Sequence, residues 1–473
     1  MSWSFRDENN IRAPNNGVLV RRYPFPYQAA VTISNDTDRM RIEAFDDLHD
    51  YVNGTSETPY GPGLGLEMSD SFWIWSESRC LSLFHSTPFD KDACLSPEAD
   101  RIVALAKNGI IDALHNFGQW RVNEYMRRDD SKRALDILDR FGIAPRIWVN
   151  HGGDLRMRHQ MEGRWGFKRF GDDPDNECYC YDLLRRAGFL FFTHGLMSEQ
   201  HRLGENRFYR DQGEFDRDLG SFDFQPLFRR YNKLDGSYSN PFGELTAEEE
   251  IAVKRKFFNK VLVPETAKDG TPMLLFKRFR GIDRPSAGNF VTQINYYSLR
   301  DLVKWRACAI VYQHFGVNRP ALSSPSQSSG DASKPPVLDL HNRTAFEYLA
   351  DFNRRREIWV PAKYRFLEFM RVRDFMDFDV RSEENALSII IRDLNCPVDG
   401  RSKLSVDAIN GIAFVLPRTA EQCRIYLGDR EITSYFKRDT DNLSLGRPVM
   451  YAEYERKSAY IDSSEWYNRA KNR

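Results

Sequence analysis

The chain has 473 residues, more than one hydrophobic core usually supports, so we expect two domains. Its 68 basic and 68 acidic side chains balance. This balance excludes the strong electrostatic field that draws proteins to nucleic acid or to anionic membranes. The expected partner is therefore a neutral carbohydrate or another protein.

The chain begins with MSWSFRDENNIRAPNNG, which has no basic stretch followed by an apolar run. No later segment offers the roughly 18 apolar residues that a membrane span requires. We therefore predict a cytoplasmic or peripheral protein without a membrane span. The seven cysteines are an odd number spread over a long chain, which favours reduced structural thiols over a disulfide framework.

Short apolar runs rich in β-branched and aromatic residues alternate with amphipathic segments over the first two thirds of the chain. The predicted strands are residues 29–34, 80–84, 110–114, 146–150, 189–193, 273–276 and 309–313. Residues 97–107 and 131–141 read as helices, and Gly142 is expected to end the second. Alternating strands and helices predict a parallel sheet, and about seven or eight such units would close into a β/α barrel.

The domain prediction follows from composition. Residues 1–320 are assigned to the barrel, with residues 204–252 as a long insertion over one face. Residues 321–343 form a Ser/Pro-rich loop or linker, because LSSPSQSSGDASKPP cannot pack a core. Residues 344–473 are predicted to form a helical connection, over 344–355 and 364–371, and then a small β-sandwich. Its predicted strands are residues 386–392, 411–416, 424–427, 431–434 and 449–454.

The positions of the histidines are the most informative feature. Five of the nine directly follow an apolar, strand-like run, and the first strand ends in the carboxylates Asp36 and Asp38. Active sites of parallel barrels are built where the carboxyl ends of the strands meet. One such histidine alone is more often structural, but the five together indicate an active site: His85, His115, His151, His194 and His314. The other four are expected to be solvent-exposed: His49, His159, His201 and His341.

Neutral imidazole and carboxylate are ligands that suit zinc, and a catalytic zinc site needs about three of them plus a position for water. Asp36, His115 and His151 are the predicted metal ligands. Arg278 and Arg280 follow the strand MLLF, and we assign Arg280 to the site as a stabiliser of negative charge. The alternative for both arginines is a solvated basic face. Five tryptophans could stack on sugar rings, although aromatic residues at such spacings are more often core residues: Trp73, Trp75, Trp120, Trp148 and Trp165.

Three segments resemble motifs of the polysaccharide deacetylases, carbohydrate esterase family four. AAVTISND resembles their first motif, Leu-Thr-Phe-Asp-Asp-Gly, at the end of strand one. His115 in ALHNFGQW resembles the histidine of the second motif, and AIVYQHFG resembles the last motif, Leu-x-His. The resemblance covers the order of motifs over most of the barrel region. It implies a distorted β/α barrel, a divalent metal, and His314 as the general acid.

The sequence departs from that family at three places. Asn35 stands where the family has its catalytic base, and an amide cannot take a proton from water. Gln119 stands where the second motif has another ligand histidine. The segment before His151, Trp-Val-Asn, has no likeness to the third motif, Arg-x-Pro-Tyr. We therefore expect His151 to complete the metal site, and Asp38 or His194 to act as the base.

The resemblance implies a metal-dependent hydrolase that removes N-acetyl or other acyl groups from a carbohydrate, with zinc as the expected metal. The alternative is a non-catalytic carbohydrate-binding or polysaccharide-assembly protein on a degenerate barrel, which Asn35 favours. A third hypothesis is a glycoside hydrolase or lyase. Its only candidate carboxylates are Asp36 and Asp38, which are too close along one strand to make a good pair for that chemistry.

Overall fold

The protein is described here from a computed structural model. The structure describes residues 17–77, 80–119, 126–150, 171, 174–193, 199–200, 212–221, 230–231, 238–239, 246–248, 251–252, 255, 258–267, 269–279, 285–317, 338–383, 386–455, 460 and 462–471.

A large curled parallel sheet forms a half-barrel. Its seven main strands are β1 (Ala29–Asn35), β2 (Ser69–Ser76), β3 (Ile111–His115), β4 (Ile147–Val149), β5 (Phe191–Thr193), β6 (Pro272–Phe276) and β7 (Cys308–Gln313). The spatial order is β7-β1-β2-β3-β4-β5-β6, and every one of these pairs is parallel. The segment Leu262–Thr266 pairs antiparallel with β6 at the edge. The carboxyl ends of the seven strands consequently lie along one rim.

The helices of the described chain are α1 (Ile42–Val52), α2 (Ala99–Lys107), α3 (Arg128–Phe141), α4 (Tyr181–Arg186), α5 (Gln212–Ser221), α6 (Phe290–Gln293), α7 (Tyr296–Trp305), α8 (Leu340–Arg354), α9 (Lys363–Phe375) and α10 (Ser463–Lys471). As predicted, α3 ends at Gly142, whose φ of 64° is the left-handed conformation that glycine adopts readily.

Side chains alternate along β1, and the alternation separates two environments. Val31 and Ile33 pack into the core that also contains apolar residues of α1 and α2. Because successive strand residues point to opposite faces, Thr32 and Ser34 face the concave side of the sheet. All seven residues of β1 are buried, so the concave side has a partly polar lining.

Most predicted strands, including that over residues 80–84, are present in the sheet with ends shifted by one or two residues, but β2 was not predicted. The strand between β1 and β3 is β2, whose sequence is SDSFWIWS. Residues Ser82–Phe84 form only a short strand beside the outer half of β2. Every residue of β2 is buried, including its serines and Asp70, so the strand lacks the apolar run by which buried strands are recognised.

The C-terminal region contains β8 (Met376–Glu383), β9 (Ala386–Cys396), β10 (Ala413–Val415), β11 (Gln422–Leu427), β12 (Phe436–Asp441) and β13 (Arg447–Ala452). These form two small sheets, one around β9 and one around β10 and β13. Strands β8 and β12 were not predicted. Residues 431–434 were predicted as a strand, but they hold only the end of the two-residue strand Arg430–Glu431 and part of the 3₁₀ turn Thr433–Tyr435.

The remaining strands have two or three residues: Leu19–Val20, Glu57–Thr58, Gly61–Pro62, Gly118–Gln119, Glu199–Gln200, Arg230–Tyr231, Tyr238–Ser239, Arg278–Phe279, Ile358–Trp359 and Gly400–Ser402. Leu19–Val20 pairs with β10, and Ile358–Trp359 pairs with β1. The N-terminal segment thus pairs with a C-terminal sheet, and a segment that follows the half-barrel in the chain pairs with its strand β1. The predicted boundaries at residues 320 and 344 stay a prediction.

A buried ion pair joins the amino end of α9 to the sheet. Lys363 Nζ lies 3.2 Å from Asp112 Oδ1, and the two side chains are 0% and 4% exposed. Ser69 Oγ and the backbone N–H of Tyr364 both donate to Asp112 Oδ2, at 2.6 and 2.7 Å. Burial raises the pKa of Asp112, although Lys363 and these donors oppose the shift. The Asp112 carboxylate thus fixes helix α9 against the half-barrel.

A second ion pair ties the N-terminal segment to the C-terminal sheets. Arg21 Nε donates to Asp441 Oδ2 at 3.0 Å. Burial by itself raises the pKa of Asp441, but Arg21, helped by Ser444 and the backbone N–H of Leu443, more than offsets this and holds the pKa below its ordinary value. The folded protein therefore favours the charged form of Asp441.

We expect Asp441→Asn to destabilise the protein by about 1–3 kcal/mol at pH 7, because a charge-assisted hydrogen bond is weakened. Since the folded pKa lies below the unfolded one, this stabilisation is present above about pH 4 and is lost as the pH falls through the folded pKa. Urea unfolding of both proteins from pH 7 to pH 3 measures the difference. A difference that stays constant or grows toward acid would contradict the assignment.

In the described part of the chain, no helix is long and apolar enough to cross a membrane. All seven cysteines are free thiols, and six of them are buried.

Candidate active site

The carboxyl rim of the sheet brings together charged groups that are far apart in the sequence. Asp36 directly follows β1, Arg278 follows β6, and His314 follows β7. Strands β1 and β7 are neighbours, and the backbone N–H of Asp36 donates to the carbonyl of Gln313 at 2.8 Å. His115, the last residue of β3, completes the group around the Asp36 carboxylate.

Asp36 is held by Arg278. One guanidinium nitrogen, Nη1, donates to both carboxylate oxygens of Asp36 at 2.9 Å, and both side chains are 1% exposed. The guanidinium also lies over the ring of Tyr312, 3.6 Å from its centroid. Burial by itself raises the pKa of Asp36, but Arg278, with His115 and His314, more than offsets this and lowers the pKa below its ordinary value. Asp36 is therefore a fixed negative charge.

His314 has the contacts of a protonated imidazole. Its Nδ1 lies 3.2 Å from the carbonyl oxygen of Pro285, and its Nε2 lies 2.9 Å from Asp38 Oδ2. Carbonyl and carboxylate oxygens accept hydrogen bonds, so both ring nitrogens carry a proton. Burial by itself lowers the pKa of His314, but the hydrogen bond and charge of Asp38, together with Asp36, raise it above its ordinary value. The Nε2–H of His314 thus faces two carboxylates, Asp38 at 2.9 Å and Asp36 at 3.8 Å.

The two groups on the open side of the site are His314 and Asp38. Their side chains are 16% and 15% exposed, whereas Asp36, His115 and Arg278 are each 1% exposed. His314 and Asp38 are therefore the accessible members of this group, and the charges behind them are buried. Tyr312 lies beside the same imidazole, with its hydroxyl 3.3 Å from Nε2.

His115 is positioned by stacking. Its ring lies against the indole of Trp73, with 4.1 Å between centroids and 25° between planes. Its Nε2 is 3.7 Å from Asp36 Oδ2, too long for a hydrogen bond. In a tetrahedral zinc site with bonds of about 2.1 Å, neighbouring ligand atoms lie about 3.4 Å apart. The spacing of His115 and Asp36 is close to that of two adjacent zinc ligands.

Two observations bear on a metal ion at this place. Arg278 donates to both oxygens of Asp36, so a cation would have to displace one of these hydrogen bonds. Among the described residues, no group of three or more His, Cys, Asp or Glu side chains has the arrangement of a metal site. His151, the third predicted ligand, lies outside the described residues. The spacing of Asp36 and His115 thus suits two neighbouring zinc ligands, provided that Arg278 releases one carboxylate oxygen of Asp36.

The remaining histidines and Arg280 either lie outside the described residues or lie away from Asp36. His194, a predicted base, and Arg280 lie outside the described residues, as do His159 and His201. His85 faces Glu98, with 3.8 Å between Nε2 and Oε2, and no contact joins it to Asp36 in the described chain. His341 is exposed, as predicted. His49 is fully buried, so its assignment as solvent-exposed was wrong.

Three of the tryptophans that were considered as sugar-stacking surfaces are core residues. Trp73 and Trp148 are 0% exposed and Trp75 is 2% exposed. Trp120 and Trp165 lie outside the described residues.

The structure explains the asparagine at position 35. Its Nδ2 donates to Asp70 Oδ2 at 2.7 Å, and its Oδ1 accepts from the backbone N–H of Phe315 at 2.9 Å. An aspartate at position 35 would place a second carboxylate against Asp70, and two buried carboxylates in contact cannot both ionise. The side chain of Asn35 is thus committed to holding the chain beside His314.

Two functional candidates were missed by sequence reasoning. Tyr312 contacts both Arg278 and His314 but sits inside an apolar strand, where tyrosine reads as core. Gly316 follows the site histidine closely, and a Cβ there would lie 2.5 Å from the Asp38 carbonyl oxygen and the Met40 nitrogen. Glycine at this position allows the loop that carries Asp38 to pack against the end of β7. A sequence signal for Gly316 was available, because it lies two residues after a strand-end histidine.

Comparison with known proteins adds nothing to this geometry: no family model, no curated protein and no solved structure matches the chain.

Proposed function

We propose that this protein is a metal-dependent hydrolase that removes an N-acetyl or other acyl group from a carbohydrate. The observation that carries the proposal is the contact of His314 Nε2 with Asp38 Oδ2 at 2.9 Å, between two partly exposed side chains at the rim of the sheet. A proton donor beside a carboxylate is the pair that amide or ester hydrolysis needs.

In the proposed reaction, Asp38 accepts one proton and His314 donates another. Water attacks the acyl carbon, and Asp38 accepts the proton that the water loses. His314 donates its Nε2 proton to the nitrogen or oxygen of the sugar as its bond to the acyl carbon breaks. The products are a carboxylic acid and the free amine or hydroxyl. The carboxylates of Asp38 and Asp36 favour the charged form of His314 before this transfer.

Zinc, held by Asp36, His115 and His151, would polarise the acyl carbonyl and lower the pKa of its bound water. The spacing of Asp36 and His115 supports this part of the proposal, and Arg278 is its competitor for the carboxylate.

We also propose that the half-barrel belongs to a closed β/α barrel with an appended C-terminal β-sandwich. One feature supports closure: β6 pairs with β5, while Arg278–Phe279, which follows it after Lys277 alone, pairs with β7. A continuous strand over residues 272–279 would connect the two edges of the half-barrel. The two C-terminal sheets share a core with the concave side of the sheet and α9, which supports a packed, two-sheet domain.

The proposal is tested by measuring metal content and acetate release together. We expect about one equivalent of zinc per chain in the wild type and in the exposed-site control His341→Ala, and none in His115→Ala. Acetate should be released from N-acetylated or O-acetylated oligosaccharides by the first two proteins, and a chelator should stop it. His115→Gln, which keeps more of the side-chain volume against Trp73, serves if His115→Ala does not fold.

The second candidate is a non-catalytic carbohydrate-binding or polysaccharide-assembly protein. The observation that favours it is Asn35, whose amide cannot act as a base and is committed to Asp70 and Phe315. It predicts oligosaccharide binding that a chelator does not change, with no acetate released and no bound metal. That result would contradict the hydrolase and support the binding protein.

A further inference from the structure

Buried polar side chains lie behind the candidate site, and the proposed reaction does not use them. Asp70, on β2, accepts a hydrogen bond from Asn35, and His49 Nε2 lies 3.3 Å from the same oxygen, Oδ2. Asn35, Asp70 and His49 are all 0% exposed. Burying a carboxylate in this way is costly unless polar groups surround it, so the arrangement calls for a reason.

One end of this chain of contacts reaches the site. Asn35 Oδ1 accepts from the backbone N–H of Phe315, the residue directly after His314. The ring of Phe315 packs against Phe290 and Phe346, with centroids 5.0 and 5.7 Å away. The amide of Asn35 therefore fixes the backbone from which the His314 side chain extends.

The other end is anchored in helix α1. His49 Nδ1 lies 2.8 Å from Asn53 Oδ1, and the amide nitrogen of Asn53 donates to the carbonyl of Met68 at 2.9 Å. With its nitrogen used in that bond, Asn53 presents an oxygen to His49, so Nδ1 of His49 donates to it. The ring also stacks on Phe45 at 4.1 Å. His49 is consequently fixed, with Nε2 turned toward Asp70.

We infer that Asp70 and His49 are positioning residues for His314: they orient the Asn35 amide, which holds the backbone beside the proton donor. Among the contacts of the described residues, neither reaches Asp36, Asp38 or His314 directly. The inference rests on the proposed function for its catalytic consequence. Its structural part, control of the His314 side chain by Asp70 through Asn35, can be measured without any substrate.

The pair Asn35 and Asp70 allows a swap experiment. Asn35→Asp places two buried carboxylates in contact. Adding Asp70→Asn restores one carboxylate and one amide, with the hydrogen bond reversed. Asp46→Asn is the matched control, because Asp46 is also buried, lies on the same helix as His49, and instead pairs with Arg101 at 3.1 Å.

The readout is the NMR signal of the His314 ring in histidine-labelled protein, assigned by its loss in His314→Gln. We expect Asn35→Asp to shift or broaden this signal, the double variant to restore it, and Asp46→Asn to leave it unchanged. Once a substrate is known, Asn35→Asp should lower kcat about tenfold or more with little change in KM, because the misplaced group acts in the reaction step.

An unchanged His314 signal in Asn35→Asp, with only a loss of stability like that of Asp46→Asn, would overturn the inference. If Asn35→Asp does not fold, Asn35→Ala removes both hydrogen bonds without adding charge, and the same comparison applies. If the chain hydrolyses nothing, the proposed function fails, yet the NMR arm still decides whether Asp70 and Asn35 control His314.

Discussion

Replacement of His314 by glutamine is expected to reduce acyl hydrolysis about 10²–10⁴-fold while leaving the protein folded. A positioned general acid contributes a factor of this size, and a neutral amide has no proton to give at neutral pH. Glutamine can still donate a hydrogen bond to Asp38, so the local structure has a substitute for the contact at 2.9 Å. Steady-state kinetics on an acetylated oligosaccharide, with unfolding measured in urea, separates the loss of activity from a loss of stability.

The control for this experiment is His341→Gln. His341 lies exposed on α8, so the same chemical change there should leave kcat and the urea midpoint as in the wild type. Equal losses in the two variants, or a His314→Gln protein that keeps more than about a tenth of the activity, would remove His314 from the reaction.

The clustering of three strand-end residues could be predicted from the sequence because parallel strands end at one rim. Asp36, His115 and His314 each stand at the end of an apolar run, and the sheet places them around one carboxylate. The partner of that carboxylate was harder to choose. Arg278 and Arg280 both follow β6, and the sequence holds no signal that distinguishes the first, which contacts Asp36, from the second.

The buried polar residues behind the site could not be predicted, because their partners are distant in the sequence. Asp46, Asp47 and Asp50 lie close to His49 in the sequence, and so many charged residues together predict a solvent-exposed segment. In the fold its ring packs on Phe45 and faces Asp70. The same long-range pairing hides β2, whose serines and aspartate look exposed until Asn35, Asp112 and α9 are brought against them.

The connection between the two parts of the chain was also beyond sequence reasoning. Leu19–Val20 is a two-residue strand, too short to have a period, and its partner β10 lies almost 400 residues later. Arg21 and Asp441 strengthen the same contact. The predicted domain division assigns Leu19–Val20 and β10 to different domains and stays a prediction, and backbone hydrogen bonds connect the two segments.

The ion pair of Asp112 and Lys363 leads to the largest expected effect on stability. We expect Asp112→Ala to lower the free energy of unfolding by about 3–5 kcal/mol, because it leaves the Lys363 ammonium buried without its counter-charge. Ser69 Oγ and the Tyr364 N–H lose their acceptor in the same variant. Urea or guanidinium unfolding of the purified proteins measures the change.

Lys363→Met should cost less than Asp112→Ala, since burial already raises the pKa of Asp112 and the carboxyl group can take up a proton when the lysine is gone. The double variant Asp112→Leu with Lys363→Met should be more stable than the sum of the single losses predicts, because neither charge then remains buried alone. Strictly additive losses would show that the two side chains act independently. In that case backbone contacts and apolar packing would hold the amino end of α9 to the sheet, and the attraction between the two buried charges would contribute little to stability.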